Sequence, residues 1–148
     1  MHITRYAPTT GTEAVTGLRI TVSGDIEIAE FTRTPEGSTR HALYEAIGCT
    51  TVDCVQVQGT LDHGGIDVWL DGEGLLTQQP INPLASRLIN LQLDIPSQWR
   101  QPYCGTAVLL GFDRAGGTCS LDFGRVGITP PEIPTSTQDQ LSNLHHRT

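Results

Sequence analysis

The stretch that most restricts how this chain folds is residues 65–89, GIDVWLDGEGLLTQQPINPLASRLI. Its first aliphatic residues recur at every second position: Ile66, Val68 and Leu70. This period is that of a β-strand with one buried face. A Gly-rich turn follows at 71–74, and Asn82 before Pro83 is typical of a helix start, because Asn caps the first turn and proline suits its first position. The stretch therefore predicts a strand, a turn and a helix at 82–92.

The opposite face of this predicted strand combines an aromatic side chain with carboxylates. Asp67, Trp69 and Asp71 occupy the alternate positions, an unusual composition for a strand face that only meets water. A tryptophan framed by charges is able to anchor a partner within a polar rim. The candidate binding residues are therefore Asp67, Trp69, Asp71, Glu73 and Asn82. Simpler interpretations stay open: Trp69 lies under a helix or loop in the core, while Asp71 and Asn82 serve the turn and the helix cap.

Short patterns on both sides of this stretch predict an α+β domain. Alternating aliphatic residues around a Ser-Gly-Asp turn indicate a β-hairpin at 18–31, and helical spacing before Gly48 indicates a helix at 38–48. Segment 52–58 is apolar on both sides, which is typical of a strand inside a sheet with a covering layer on each face. A last hairpin follows at 106–123. The expected order is ββαββαββ, with a mixed or mostly antiparallel sheet of about five to seven strands and two helices.

Composition changes at both ends of this domain. Residues 1–17 are polar and without periodicity, and residues 127–148 are rich in proline and poor in large apolar side chains. We expect a flexible N-terminal arm at 1–17, a globular α+β domain at 18–126 and a disordered tail at 127–148. The loop 94–105 carries residue types that either pack or take part in recognition, with packing preferred: Trp99, Arg100, Pro102 and Tyr103.

Charge is distributed unevenly. The formal net charge is -7, and the segment between Arg40 and Arg87 contains no arginine. All of its charged residues are carboxylates: Glu45, Asp53, Asp62, Asp67, Asp71 and Glu73. One region of the fold should therefore be acidic, either as a solvated face or as a footprint for a basic partner or a metal. Nucleic-acid binding through this acidic face is disfavoured, because phosphate contacts need clustered arginine.

Several function classes find no support in the sequence. No apolar run approaches the roughly 18 residues of a membrane span and no secretion signal is present, so we expect a cytoplasmic protein without membrane contact. Lysine is absent, which excludes a lysine nucleophile, and no known catalytic or phosphate-binding signature occurs. The spacing of Cys49, Cys54, Cys104 and Cys119 does not match a structural zinc site, so we expect free thiols, mostly buried, and no cofactor.

The central motif resembles a known family. Its residues form three groups: Asp67-x-Trp69-x-Asp71-x-x-Gly74, Pro80-x-Asn82-x-x-Ala85 and Gly105-Thr106-Ala107-Val108. They are similar to a domain-of-unknown-function family of small phage, plasmid and high-GC bacterial proteins, over roughly residues 40–121. The resemblance implies a mobile-element or host-interaction context and no established activity.

Two functional hypotheses follow. The first is a non-enzymatic accessory or regulatory protein that binds a host or phage protein through the acidic face around Asp67, Trp69 and Asp71. The alternative is a small-molecule or metal-dependent binding or hydrolytic activity at the same face, which predicts a pocket where Asp67, Asp71 and Asn82 converge, with His63 as a further candidate.

Overall fold

The computed structural model describes residues 3–7, 13–60, 63–74 and 77–126. Its strands are β1 Thr4–Tyr6, β2 Ala14–Ile20, β3 Ile26–Thr32, β4 Val52–Thr60, β5 Gly64–Asp71, β6 Ala107–Phe112 and β7 Thr118–Cys119. Its α-helices are α1 Arg40–Ile47 and α2 Pro83–Gln92, and two short 3-10 turns lie at Ser97–Trp99 and Phe123–Val126. The predicted tail 127–148 lies outside the described residues.

All seven strands belong to one sheet, in the order β1-β3-β2-β6-β5-β4, with β7 paired to β6. Each pairing is antiparallel except that of β1 with β3, which is parallel. The predicted α+β class, the two helices and the mostly antiparallel sheet are confirmed. The order ββαββαββ is not matched, because β1 precedes the first predicted strand.

Part of the segment that was expected to be a flexible arm, residues 1–17, forms strands. Residues 4–6 form β1, and Ala14 begins β2, so the sheet starts well before residue 18. Tyr6 stacks on Phe31 with ring centroids 5.6 Å apart, which ties the short strand to β3. Three residues are too few to show a strand period, so the sequence carries no signal for β1.

The two helices cover opposite faces of the sheet. α2 packs on the face that includes Leu18, Val68 and Leu109, while α1 packs on the face that includes Phe31 and Leu110. Since strand side chains alternate between faces, the aliphatic positions of β5 point towards α2 and its remaining positions point towards α1.

The start of α2 and the end of α1 follow the predicted signals. Asn82 caps α2, because its Oδ1 accepts the Ala85 N–H at 3.0 Å, and a proline holds the first turn. α1 begins after Thr39, whose side chain makes no cap hydrogen bond, although Ser38 Oγ accepts the Arg40 N–H at 3.1 Å. Gly48 ends α1 with a φ of 79°, a conformation that glycine adopts without strain.

The position of β4 corrects another prediction. The sequence indicated a strand inside the sheet, but β4 is the end strand and among the described residues pairs with β5 alone. Asp53, Cys54 and Gln56 are exposed, while Val57 is buried. The apolar residues on both sides of β4 had suggested that both faces of the strand are covered. Instead, much of the strand is exposed to solvent.

Candidate binding site

Trp69 lies on the α1 face of the sheet, opposite Cys54 on β4 and Val108 on β6. Its side chain is half-buried and packs against the cluster around α1. The indole Nε1 is buried and has no hydrogen-bond partner among the described residues. The structure thus places Trp69 between sheet and helix, the arrangement that the simpler interpretation expected.

Asp67 also lies on the α1 face and hydrogen-bonds the Cys54 side chain. Burial raises the pKa of the Asp67 carboxyl above its usual range, and the hydrogen bond from Cys54 lowers it by less. Burial, the Asp67 charge and the hydrogen bond to Asp67 together raise the pKa of the Cys54 thiol to about 12. Although Cys54 is exposed overall, its sulfur therefore stays protonated at neutral pH and is a poor nucleophile.

Asp71 shapes the turn that leaves β5. Its Oδ1 accepts the Glu73 N–H at 2.8 Å, its Oδ2 accepts the Gln79 side-chain amide, and its backbone oxygen accepts the Gly74 N–H at 3.2 Å. The predicted turn chemistry is confirmed. Glu73 is exposed on this turn.

Asn82 is fully buried. Besides capping α2, its Nδ2 donates to the backbone oxygens of Ile20 at 3.0 Å and Gly105 at 2.9 Å. These bonds tie the start of α2 to β2 and to the segment that enters β6. The cap that the sequence indicated is confirmed, and both donors and the acceptor oxygen of the side chain are engaged inside the protein.

A groove opens between the β4–β5 edge and the loop 101–104, with a cavity volume of about 350 Å³. We call it the acidic groove, and it is lined by Asp53, Val55, Leu70, Asp71, Gly72, Gly74, Gln101, Pro102, Tyr103 and Cys104. Most of its walls are apolar, and its lining includes Asp53 of β4 and Asp71 of β5. The volume falls in the range of small ligand sites.

Hydrogen bonds to α2 fix the loop wall of the acidic groove. Asn90 Nδ2 donates to the Gln101 oxygen at 2.9 Å, and Ser86 Oγ accepts the Tyr103 N–H at 2.7 Å. Tyr103 is half-buried and packs against the core on the α2 face. The wall is therefore held in place before any ligand arrives.

Asp53 supplies an unengaged charge at this groove. It is exposed and makes no hydrogen bond or ion pair with any described residue, unlike the neighbouring Asp71. Gly72 lies beside it, since a Cβ added there would stand 3.4 Å from Asp53 Oδ1. Arg100, next to the groove residue Gln101, directs its Nε to the Ile95 oxygen at 2.9 Å. The carboxylate of Asp53 is therefore available to a partner.

Trp99 is the residue whose exposure the sequence interpretation missed. Packing was preferred for the aromatic residues of the loop 94–105, and Tyr103 does pack, but Trp99 is 72% exposed. It stands two residues before the groove residue Gln101. An exposed tryptophan is a common anchor in protein interfaces, and nothing in the local sequence distinguishes it from a packed one.

The residues required by the alternative hypothesis are not brought together. Asp71 lines the acidic groove, His63 lines a separate depression with Asp113 and Arg125, and Asn82 is buried. No group of three or more His, Cys, Asp or Glu residues in the described part of the chain is arranged to hold a metal ion.

All four cysteines are free, as predicted. The expectation that most of them are buried is wrong, because Cys54 is exposed, Cys49 and Cys119 are half-buried, and only Cys104 is buried. Cys54 and Cys119 lie on short or edge strands, where one side of the strand meets water.

Comparison with known families places the chain in one of them. The model of a domain of unknown function, DUF3846, matches residues 15–125, and the chain belongs to this family. The match extends on both sides of the 40–121 stretch that carries the sequence resemblance. No curated protein and no solved structure matches the chain. Within the described residues, every helix is too short or too polar to cross a membrane.

Proposed function

We propose that this protein is a non-enzymatic accessory factor of a mobile element or its host, and that it binds a basic partner protein through the acidic groove. The observation that carries the proposal is the free Asp53 carboxylate beside Asp71 at an open, mostly apolar groove. An exposed carboxylate without an internal partner is free to pair with a cation of a partner protein.

The sequence-based candidate residues divide into two groups in this proposal. Asp71 and Glu73 lie at or beside the groove and add negative charge to it. Trp69 and Asn82 act indirectly, because Trp69 packs β5 against the cluster around α1 and Asn82 ties α2 to β2. Asp67 lies on the α1 face and hydrogen-bonds Cys54 of β4. Trp99 adds a large apolar contact near the groove.

Charge complementarity of this kind mainly sets the rate and specificity of association. Binding should weaken as ionic strength rises, since exposed charges are screened over about 8 Å at physiological salt. A partner held mainly by apolar contacts would show little salt dependence.

The test is capture of the native partner by tagged protein from the host, followed by affinity measurement with the purified pair. An Asp53→Asn and Glu73→Gln double variant removes two exposed charges near the groove. A Glu36→Gln and Asp94→Asn double variant removes two exposed charges elsewhere and is the matched control. We expect the first variant to bind at least about tenfold more weakly and the control to bind like wild type. Equal affinity of the two variants would refute the groove as the binding surface.

A further inference from the structure

The two edges of the sheet differ in length. One edge is β1, which has 3 residues, and the other is β4, which has 9. Among the described residues β4 pairs with β5 alone, so its outer side presents N–H and C=O groups that no described strand uses. β4 contains no proline that would prevent a further strand from pairing with it.

The acidic groove lies against this free edge. Asp53 and Val55 are on β4, pair with Leu70 and Val68 of β5, and share the α2 face with them. A strand added outside β4 would place alternate side chains on the same face, about 4.5–5.5 Å from Asp53 and Val55. The groove and the edge are thus parts of one surface.

We infer that the partner binds by strand addition: an extended segment of the partner protein pairs with the free edge of β4 and places an arginine or lysine side chain in the acidic groove. The inference rests on the proposed function and specifies the form of the partner. The basic head contacts Asp53, and the aliphatic part of the side chain lies on Val55 and Pro102.

The β-bulge of β4 limits how many residues an added strand can pair with. The β4–β5 register shifts between Gln56 and Gln58, and such a bulge bends a strand and disrupts its ladder. The regular part is residues 52–56, which is about 17 Å long at a rise of about 3.3 Å per residue. The added segment therefore needs about five residues in extended form, with the basic side chain opposite Asp53.

A second copy of this chain fits the edge less well than a basic segment. Each chain carries a formal net charge of -7, and β4 and β5 contain carboxylates and no arginine. Pairing two such edges brings like charges together, which opposes association. A basic segment instead supplies the opposite charge.

Three peptides of eight residues test the inference on the full chain. The first alternates valine and threonine around one arginine, the second has citrulline in place of arginine, and the third is the arginine peptide with N-methylated backbone amides on its pairing side. Binding is measured by calorimetry and by amide exchange of the isotope-labelled protein. We expect the arginine peptide to protect those amides of residues 52–56 that point away from β5, the citrulline peptide to bind about tenfold more weakly, and the methylated peptide not to bind.

An Asp53→Asn variant completes the test. Because Asp53 is exposed and unbonded, this variant should melt like wild type. It should reduce affinity for the arginine peptide about tenfold and leave citrulline-peptide affinity unchanged.

Two results would overturn the inference. If the methylated peptide binds as well as the parent, strand addition is refuted, while charge-dependent capture of the native partner still supports the proposed function. If protection of residues 52–56 rises with protein concentration in the absence of peptide, the occupant of the edge is a second copy.

Discussion

Replacement of Asn82 by alanine tests whether this residue is structural. The variant removes the cap bond to Ala85 and leaves the buried oxygens of Ile20 and Gly105 without their donor. A lost cap costs about 0.5–2 kcal/mol, and each buried polar group left unpaired costs about 1–3 kcal/mol. We expect the free energy of unfolding to fall by about 3–6 kcal/mol, a large part of the roughly 5–15 kcal/mol of a typical domain.

Urea unfolding followed by circular dichroism measures this loss. Asn82→Ser keeps an acceptor for the cap, but its single hydroxyl proton cannot replace the two amide donors, so its stability should lie between those of wild type and Asn82→Ala. Gln98→Ala, at an exposed position, is the control and should change stability by less than about 0.5 kcal/mol. A loss below about 1 kcal/mol for Asn82→Ala would contradict the structural role, and a ligand role for Asn82 would then return.

Three further predictions concern the α1 face and the loop. Trp69→Ala should reduce the free energy of unfolding by about 3 kcal/mol, whereas Trp99→Ala should leave it nearly unchanged. Thermal melts that show the reverse order would contradict the half-buried position of Trp69 and the exposed position of Trp99. Cys54, whose pKa is raised to about 12, should react with iodoacetamide at least about tenfold more slowly at pH 8 than an ordinary exposed thiol, and faster in Asp67→Asn; mass spectrometry of the labelled protein measures both rates. Asp67→Asn should stabilise the fold at pH 7 and have little effect below about pH 4. Burial raises the pKa of the Asp67 carboxyl in the folded state above its unfolded value. The contribution of the protonated carboxyl to stability is therefore complete below the unfolded pKa and is lost as pH rises through the folded value. Urea unfolding at both pH values checks this, and a destabilised variant at pH 7 would oppose the sign.

Elements with a local signal were predictable from the sequence. The strand, turn and helix of residues 65–92 depend on alternation, on glycine and on the Asn82 cap, all within a few neighbouring residues. The first hairpin likewise follows from its own turn, and its strands pair in register from Ala14 with Thr32 to Ile20 with Ile26. In both cases the sequence contains the interaction that determines the element.

The order of strands depends on contacts far apart in the sequence. β6 lies between β2 and β5, since Leu109 pairs with both Leu18 and Val68. This insertion leaves β4 at the edge, although its composition resembles that of an interior strand. The contrast between half-buried Trp69 and exposed Trp99 has the same origin, because α1 covers one and no described element covers the other.

The charge of β4 affects both pairing between copies of the chain and binding of a partner. A long free edge promotes pairing between copies, and proteins oppose this with charged residues and bulges on the edge strand. β4 has both, in Asp53 and in the irregularity between Gln56 and Gln58. A carboxylate that repels a second copy attracts a basic segment, and the apolar groove beside it gives such a segment an area to bury. The features that keep this edge unpaired between copies are therefore the ones that would select its partner.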